Sequence, residues 1–287
     1  MILQEIYTLP NGVKIPKLGL GTWRIDDGLA AKVVRAAAQI GYRHFDTAQA
    51  YGNDRGVGEG LRSSGVPREQ LFVTTKVDAG LKTYAEAKAS VDTSLRALGL
   101  DAIDLIIIHS PQPWADFHSG QHFFEGNLEV WRALEEAYAS GKARAIGVSN
   151  FERVDLDNIL TNASIKPAVN QVLAHVGSTP FDLITYCEQH GILVGAYSPI
   201  AHGAILNDRE IHAIAERLSV TVPQLCIRYC LQLGLAPLPK TANREHMQSN
   251  AALDFEIAAS DMDILKRVSF GDYGEASAFP VFGGGKR

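Results

Sequence analysis

The sequence predicts an α/β fold, a (β/α)₈ TIM barrel preceded by a short N-terminal β-hairpin and followed by a C-terminal tail. The chain has 287 residues, the usual size of one such barrel. Eight short apolar runs alternate along it with longer amphipathic segments, and no proline- or serine-rich linker divides it. We therefore expect one domain over residues 1–287, with the hairpin in 1–16 and the tail in 270–287. The pattern alone leaves a doubly wound sheet open.

The two ends of the chain carry their own signals. Apolar residues alternate with polar ones on both sides of an Asn11-Gly12 dipeptide, which is a strong signal for a tight hairpin turn. This pattern predicts strands over residues 6–9 and 13–15. At the other end, the glycine run 283–285 predicts disorder.

The predicted barrel strands are brief, rich in β-branched residues and flanked by glycine or proline, which is typical of buried parallel strands. They are residues 18–21, 44–46, 71–76, 103–109, 145–150, 169–172, 192–197 and 236–240. Apolar residues recur at helical spacing over 28–40, 83–98, 125–139 and 181–190, and each of these segments stops close to a glycine. Repeated helix–glycine–strand units indicate a parallel sheet.

Composition excludes several classes of protein. The formal net charge of −5 argues against a nucleic-acid binder, which normally carries a basic patch. Three cysteines do not make a disulfide framework, and Cys226 and Cys230 lie one helical turn apart in an apolar stretch, which favours core residues over a redox or metal pair. Neither a signal peptide nor an apolar run long enough for a membrane helix is visible. We expect a cytoplasmic protein with no nucleic-acid or membrane partner.

Unusual polar residues stand at the carboxyl ends of the predicted strands. They are Asp46, Lys76, His109, Ser149, Asn150, Gln171, Tyr197, Ser198 and Lys240. In a barrel all eight carboxyl ends open onto one face, where the active site lies. Any one of these residues alone is more often a solvated or core group, but their coincidence across seven strands predicts a shared site.

Motifs at those strand ends identify a resemblance. They are LGLGTW at 18–23, GYRHFDTAQAYGND at 41–54, TTKV at 74–77, LIIIHSP at 105–111, IGVSNF at 146–151, NQV at 170–172, YSPI at 197–200 and LPKTANREHMQSN at 238–250. With them the chain resembles the aldo-keto reductase family over nearly its full length, and within it the bacterial carbonyl and diketogluconate-type reductases. The resemblance implies reduction of an aldehyde or ketone, with diketo and α-keto compounds as candidates, to an alcohol by hydride transfer from NADPH.

The resemblance implies four catalytic residues, Asp46, Tyr51, Lys76 and His109. Hydride transfer to a carbonyl carbon leaves negative charge on the oxygen, so a proton donor and fixed polar partners are needed there. Tyr51 is expected to donate the proton, with the Lys76 ammonium favouring its phenolate. Asp46 would hold Lys76, and His109 would orient the carbonyl. A purely structural ion pair remains the alternative for Asp46 and Lys76.

The cofactor residues follow from the same resemblance. Those expected around the nicotinamide and its ribose are Thr22, Ser149, Asn150, Gln171, Tyr197 and Ser198, with the Tyr197 ring stacked on the nicotinamide. Those expected around the phosphates and adenine are Lys240, Thr241, Arg244, His246 and Asn250. His246 stands where relatives often place an arginine against the 2′-phosphate, and Arg244 is expected to compensate. Tolerance of NADH is left open.

The substrate pocket departs from the family pattern. Many relatives carry a tryptophan directly after the catalytic histidine, where this chain has Ser110. Trp114 and Trp23 are expected to supply that wall, with Ser110 beside them. The segment after Ser198 is short, whereas some relatives fold a longer loop over the cofactor. The tail near Phe279 and Phe282 is expected to shape the pocket.

The sequence leaves several alternatives to be weighed. The glycines at 56, 58 and 60 resemble a dinucleotide loop, but their spacing is wrong and they open a predicted helix. His118 and His122 are four residues apart but lie in a glycine-containing loop without a third ligand, so no metal is expected. A non-catalytic cofactor-binding barrel and a metal-dependent barrel hydrolase are the alternative functions. A monomer is expected, with a small carbonyl compound as the partner.

Overall fold

The computed structural model describes residues 1–283 and shows a barrel of eight parallel strands surrounded by helices. The strands are β3 (Gly19–Gly21), β4 (His44–Asp46), β5 (Phe72–Val77), β6 (Leu105–Ile108), β7 (Ile146–Ser149), β8 (Val169–Leu173), β9 (Leu193–Tyr197) and β10 (Ala236–Leu238). They pair in chain order. The Gly21 amide donates to the Pro239 carbonyl at 3.0 Å, which joins the first barrel strand to the last. The predicted barrel is confirmed, and the doubly wound sheet is excluded.

A two-stranded antiparallel hairpin precedes the barrel, as predicted. It consists of β1 (Ile6–Thr8) and β2 (Lys14–Pro16), and Gly12 in its turn has a φ of +83°, a conformation that glycine adopts without steric cost. Leu9 and Ile15 of this hairpin are buried with Phe72 and Leu105 of the barrel. The hairpin therefore closes the end of the barrel where the strands begin.

Ten helices connect and flank the strands of the described chain. They are α1 (Asp27–Ile40), α2 (Asp54–Arg62), α3 (Tyr84–Leu98), α4 (Phe124–Ala139), α5 (Arg153–Asn162), α6 (Phe181–Gln189), α7 (Arg209–Arg217), α8 (Val222–Gln232), α9 (Arg244–Ala251) and α10 (Ala259–Arg267). The predicted helices agree with α1, α3, α4 and α6 to within one residue at each end. Among residues 1–283 no helix is both long and apolar enough to cross a bilayer.

The glycines at 56, 58 and 60 lie inside α2 and serve helix packing. A Cβ atom added at Gly58 would lie 2.0 Å from the Leu98 carbonyl oxygen, and one added at Gly56 would lie 2.1 Å from the Asp27 carbonyl oxygen. Only glycine lets α2 approach α1 and α3 this closely. The resemblance to a dinucleotide loop is therefore coincidental.

Alternation along β4 and β5 places polar side chains inside the barrel. Phe45 and Val73 belong to the large apolar core that includes the helices, so their neighbours on each strand point the other way. Inside the barrel the His44 Nε2 lies 2.9 Å from the Thr74 hydroxyl. Asp46, two residues beyond His44, faces Lys76 at the carboxyl ends of these strands.

The tail returns across the carboxyl ends of the strands. After α10, residues 274–278 and 280–282 form short 3₁₀ helices, and Phe282 is buried. Gly283 ends the second of them with a φ of +109°. Of the glycine run predicted to be disordered, residues 284 and 285 lie outside the described residues.

Candidate active site

A buried ion pair lies at the carboxyl ends of β4 and β5. The Lys76 Nζ donates to the Asp46 Oδ1 at 2.5 Å, and the two side chains are 1% and 5% exposed. The same Nζ donates to the Thr47 carbonyl at 2.9 Å. Burial lowers the pKa of Lys76, and the adjacent Asp46 carboxylate acts in the opposite direction. The pair therefore keeps an ammonium in a place where an unpaired one would be strongly disfavoured.

Two further residues fix the orientation of Asp46. The Gln171 Nε2, in the middle of β8, donates to the Asp46 Oδ2 at 2.7 Å. The Thr22 hydroxyl donates to the Asp46 carbonyl oxygen at 2.9 Å. Both carboxylate oxygens thus have a donor, so the side chain is held in one position.

Tyr51 lies above this pair on a short 3₁₀ helix, Gln49–Tyr51, which follows β4. The Lys76 Nζ is 5.0 Å from the centroid of the half-buried Tyr51 ring. Burial, followed by the Asp46 charge, raises the pKa of Tyr51 well above its ordinary value. Burial and Asp46 therefore outweigh any lowering of the Tyr51 pKa by Lys76 in the protein alone, and the expectation that Lys76 favours the phenolate stays a prediction. Tyr51 is therefore a protonated phenol at neutral pH.

His109 directly follows β6 and lies beside Tyr51. The centroids of the two rings are 5.6 Å apart, and the Trp114 ring lies 5.0 Å from His109 on another side. Burial, together with the Lys76 charge, lowers the pKa of His109 well below its ordinary value. A neutral imidazole in this place offers one N–H donor and does not compete with Tyr51 as an acid.

These groups open into a cavity of about 660 Å³ at the carboxyl ends of the strands. Asp46, Tyr51 and His109 line its base, with the Gln171 amide beside them. Aromatic side chains form its walls: Trp23, Trp114, Phe279 and Phe282. A cavity with apolar walls and a few convergent polar groups is typical of a small-molecule site.

One end of the cavity presents amide, hydroxyl and aromatic groups. Ser149, Asn150, Gln171, Tyr197 and Ser198 line it. The Tyr197 hydroxyl donates to the Asn150 Oδ1 at 2.7 Å, and the Asn150 Nδ2 donates to the His109 carbonyl at 3.0 Å. The Asn150 side chain therefore links the aromatic ring at the end of β9 to the backbone of His109.

Positive charge lies in the part of the lining next to β3 and β10. Arg24 and Lys240 line the cavity there, and burial, followed by the Arg24 charge, lowers the pKa of Lys240. Arg244 and His246 are exposed in the first turn of α9, just beyond Lys240. Thr241 and Asn250 are buried and do not line the cavity.

The groups around this cavity fit a nicotinamide dinucleotide. Carboxamides and a hydroxyl at one end match the hydrogen-bonding edge of a nicotinamide, and the Tyr197 ring offers a face for stacking. Cationic side chains next to β3 and β10 match phosphates, for which guanidinium is especially suited.

Some residues do not lie where the sequence placed them. Ser110 is fully buried outside the cavity, where its hydroxyl accepts from the Gln112 amide at 3.2 Å, so its assignment to the substrate wall is wrong. The Thr22 hydroxyl is likewise buried and bonded to the Asp46 backbone. Arg24 and His202 line the cavity and were missed. The signal for Arg24 in the sequence is its place, directly after Trp23 and just beyond a barrel strand.

His118 and His122 lie in the loop before α4 and not on a helix. The His122 Nδ1 faces the Asp155 Oδ1 at 3.4 Å. Within residues 1–283, no three His, Cys, Asp or Glu side chains are close enough together to share a metal ion.

Comparison with known proteins agrees with this geometry, since the aldo/keto reductase family model matches residues 17–269. The chain belongs to the aldo/keto reductase family. This reductase is 40% identical to the glyoxal reductase of Bacillus subtilis over 263 residues, which cover 91% of each chain. It is 41% identical to the 9,11-endoperoxide prostaglandin H2 reductase of Trypanosoma cruzi over 260 residues, covering 89% of this chain and 88% of that one. The crystal structure of the Bombyx mori aldo-keto reductase in complex with NADP superposes with a TM-score of 0.83 at 30% identity, covering 92% of both chains.

Family membership confirms the resemblance seen in the motifs. The reductase is an oxidoreductase that reduces carbonyl groups of small molecules. The alternative of a metal-dependent hydrolase is wrong, because neither the family nor the named relatives are hydrolases.

Proposed function

We propose that this reductase uses NADPH to convert small aldehydes and ketones into alcohols, with Tyr51 as the proton donor. The observation that carries the proposal is the buried Asp46–Lys76 pair beneath a protonated tyrosine and beside a neutral histidine, all at the base of one cavity. When bound, NADPH supplies the hydride. Small dicarbonyl compounds are candidate substrates, which the name of the Bacillus relative supports.

The four side chains divide the remaining work. The Tyr51 phenol gives its proton to the carbonyl oxygen as negative charge develops there. The Lys76 ammonium, 5.0 Å from the ring, stabilises the phenolate that remains. Asp46 keeps Lys76 in place, and the His109 imidazole donates a hydrogen bond that orients the carbonyl oxygen toward Tyr51.

Ser149, Asn150 and Gln171 would hold the nicotinamide carboxamide, with Tyr197 and Ser198 on its other side. Thr22 would reach the nicotinamide ribose only if its hydroxyl leaves the Asp46 carbonyl. Lys240, Thr241, Arg244 and His246 would hold the phosphates, and Asn250 the adenine. NADPH is the preferred cofactor in this proposal, and the Bombyx mori complex with NADP supports it.

We further propose that the working form is a cytoplasmic monomer. The proposed chemistry needs no residue beyond those that this chain supplies. The three cysteines are buried free thiols, as expected in a reducing compartment. Light scattering of the purified protein tests the first part of this proposal.

A turnover assay tests the function itself. Purified protein is mixed with NADPH and an aldehyde, and the loss of NADPH absorbance is followed against a matched Tyr51→Phe sample. Turnover by the unaltered protein alone supports the proposal. Tight NADPH binding without turnover of any aldehyde or dicarbonyl would instead identify a non-catalytic cofactor-binding barrel.

A further inference from the structure

One wall of the cavity is made by the C-terminal segment that follows α10. Phe279 and Phe282 lie 4.9 and 6.3 Å from Trp23, measured between ring centroids. Phe282 also packs edge-on against His202 at 4.6 Å. The width of the cavity between this wall and Tyr51 therefore depends on where the segment is held.

The segment is fastened to the turn that follows β8. The Phe270 amide donates to the Gly177 carbonyl at 2.9 Å. Three residues later, the Tyr273 hydroxyl lies 2.9 Å from the His175 Nε2. The His175 Nδ1 lies 2.6 Å from the Val176 carbonyl, which only accepts, so Nδ1 carries the proton and Nε2 accepts from Tyr273. His175 is fully buried, which leaves this bond little freedom.

The turn and the segment are matched in shape as well. Gly177 has a φ of +93°, and a Cβ added there would lie 2.6 Å from the Phe270 Cβ. A side chain at this position would push the segment away from the turn. The Tyr273 ring in turn lies 4.8 Å from the Phe282 ring, so the anchored tyrosine contacts the wall directly.

We propose that His175 and Tyr273 are positioning residues that determine substrate specificity, because they set the place of Phe282 and Phe279. The proposal rests on the carbonyl reduction proposed above. It specifies the substrate class as aldehydes whose apolar, planar substituent contacts the aromatic wall while the carbonyl lies at Tyr51. Glyoxal has no apolar substituent, so it gains nothing from packing against that wall.

The test compares Tyr273→Phe with the unaltered enzyme on benzaldehyde and on glyoxal. Loss of one hydrogen bond of ordinary strength should raise the KM for benzaldehyde by about 2- to 12-fold. The kcat, the KM for glyoxal and the Kd of NADPH should stay unchanged. Tyr7→Phe is the matched control, since the Tyr7 hydroxyl donates to the Leu235 carbonyl at 3.2 Å at the hairpin end of the barrel.

Gly177→Ala displaces the segment through a different contact. It should raise the KM for benzaldehyde, relative to the KM for glyoxal, by at least as much as Tyr273→Phe does. If Gly177→Ala fails to fold, Tyr273→Phe decides alone. Equal changes for both aldehydes, or none, would overturn the anchoring role. If the unaltered enzyme reduces neither aldehyde nor any other carbonyl compound, it is the proposed function that fails.

Discussion

Replacing Lys76 by methionine should lower the free energy of unfolding by about 3–5 kcal/mol, the usual cost of leaving one member of a buried ion pair alone. The reason lies in the surroundings of Asp46. Its carboxylate is 5% exposed and would keep only the Gln171 amide, 2.7 Å away, as a donor. At roughly 2–4 °C per kcal/mol for chains of comparable length, the Tm should fall by roughly 10 °C.

A second variant shows whether the pair matters for chemistry as well as for stability. Asp46→Asn combined with Lys76→Met removes both charges, while the asparagine oxygen still accepts from Gln171. Most of the lost stability should return, because no buried charge is left unpaired. The kcat should be low in Lys76→Met, in Asp46→Asn and in the double variant, because each lacks a correctly held ammonium beside Tyr51.

Urea unfolding followed by tryptophan fluorescence and NADPH consumption measure the two effects on the same samples. If the double variant loses the sum of the two single losses in unfolding free energy, the charges are not coupled and the energetic reasoning fails. If its kcat returns to that of the unaltered enzyme, the pair is structural only. The unfolding free energy thus reports the structural role of the Asp46–Lys76 pair, and kcat reports its catalytic role.

Three further changes test other parts of the site. Tyr51→Phe should lower kcat by roughly 10²–10⁴-fold with little change in the Kd of NADPH; a variant that keeps more than half of the activity would show that Tyr51 is not the acid. His246→Arg should tighten NADPH by roughly 10- to 150-fold and leave NADH unchanged, because a charged fork then faces the 2′-phosphate; equal gains for both cofactors in a binding titration would contradict this. Burial lowers the pKa of His44 from 6.5 to about 4. Between these two pH values His44 is protonated in the unfolded chain and neutral in the folded one. Its stabilising contribution is complete above pH 6.5 and declines as the pH falls toward 4, by about 2 kcal/mol at pH 5. His44→Gln should remove that share of the acid sensitivity in urea unfolding, and an unaltered pH dependence would refute the assignment.

The positions of Asp46, Lys76 and His109 could be predicted from the sequence because strand ends in a barrel share one face. Their spacing along short apolar runs is enough to place them together. The raised pKa of Tyr51 could not be predicted in the same way. It depends on how the ring packs above Asp46 and against its neighbours, which no pattern of residue types reports.

The surroundings of the cavity show a similar limit. Ser110 was placed on the substrate wall because it follows His109, yet the chain turns there and buries the side chain. Arg24 and His202 reach the cavity from loops whose paths depend on tertiary contacts. His202 has a φ of +54°, a left-handed conformation that is uncommon outside glycine and that the sequence does not reveal.

The hydrogen bond from Gln171 to Asp46 joins residues 125 positions apart, and the wall residue Phe282 lies near the end of the chain. The order of synthesis therefore differs from the order in which the cavity can be completed. At 5–20 residues per second, a ribosome that has just added His109 needs roughly 10–35 s to reach Phe282. Until Gln171 is added, the four residues of the proposed chemistry exist without the amide that steadies Asp46. Until the end of the interval, the aromatic wall lacks Phe279 and Phe282. The last parts of the candidate site to be made are therefore the aromatic residues that follow α10.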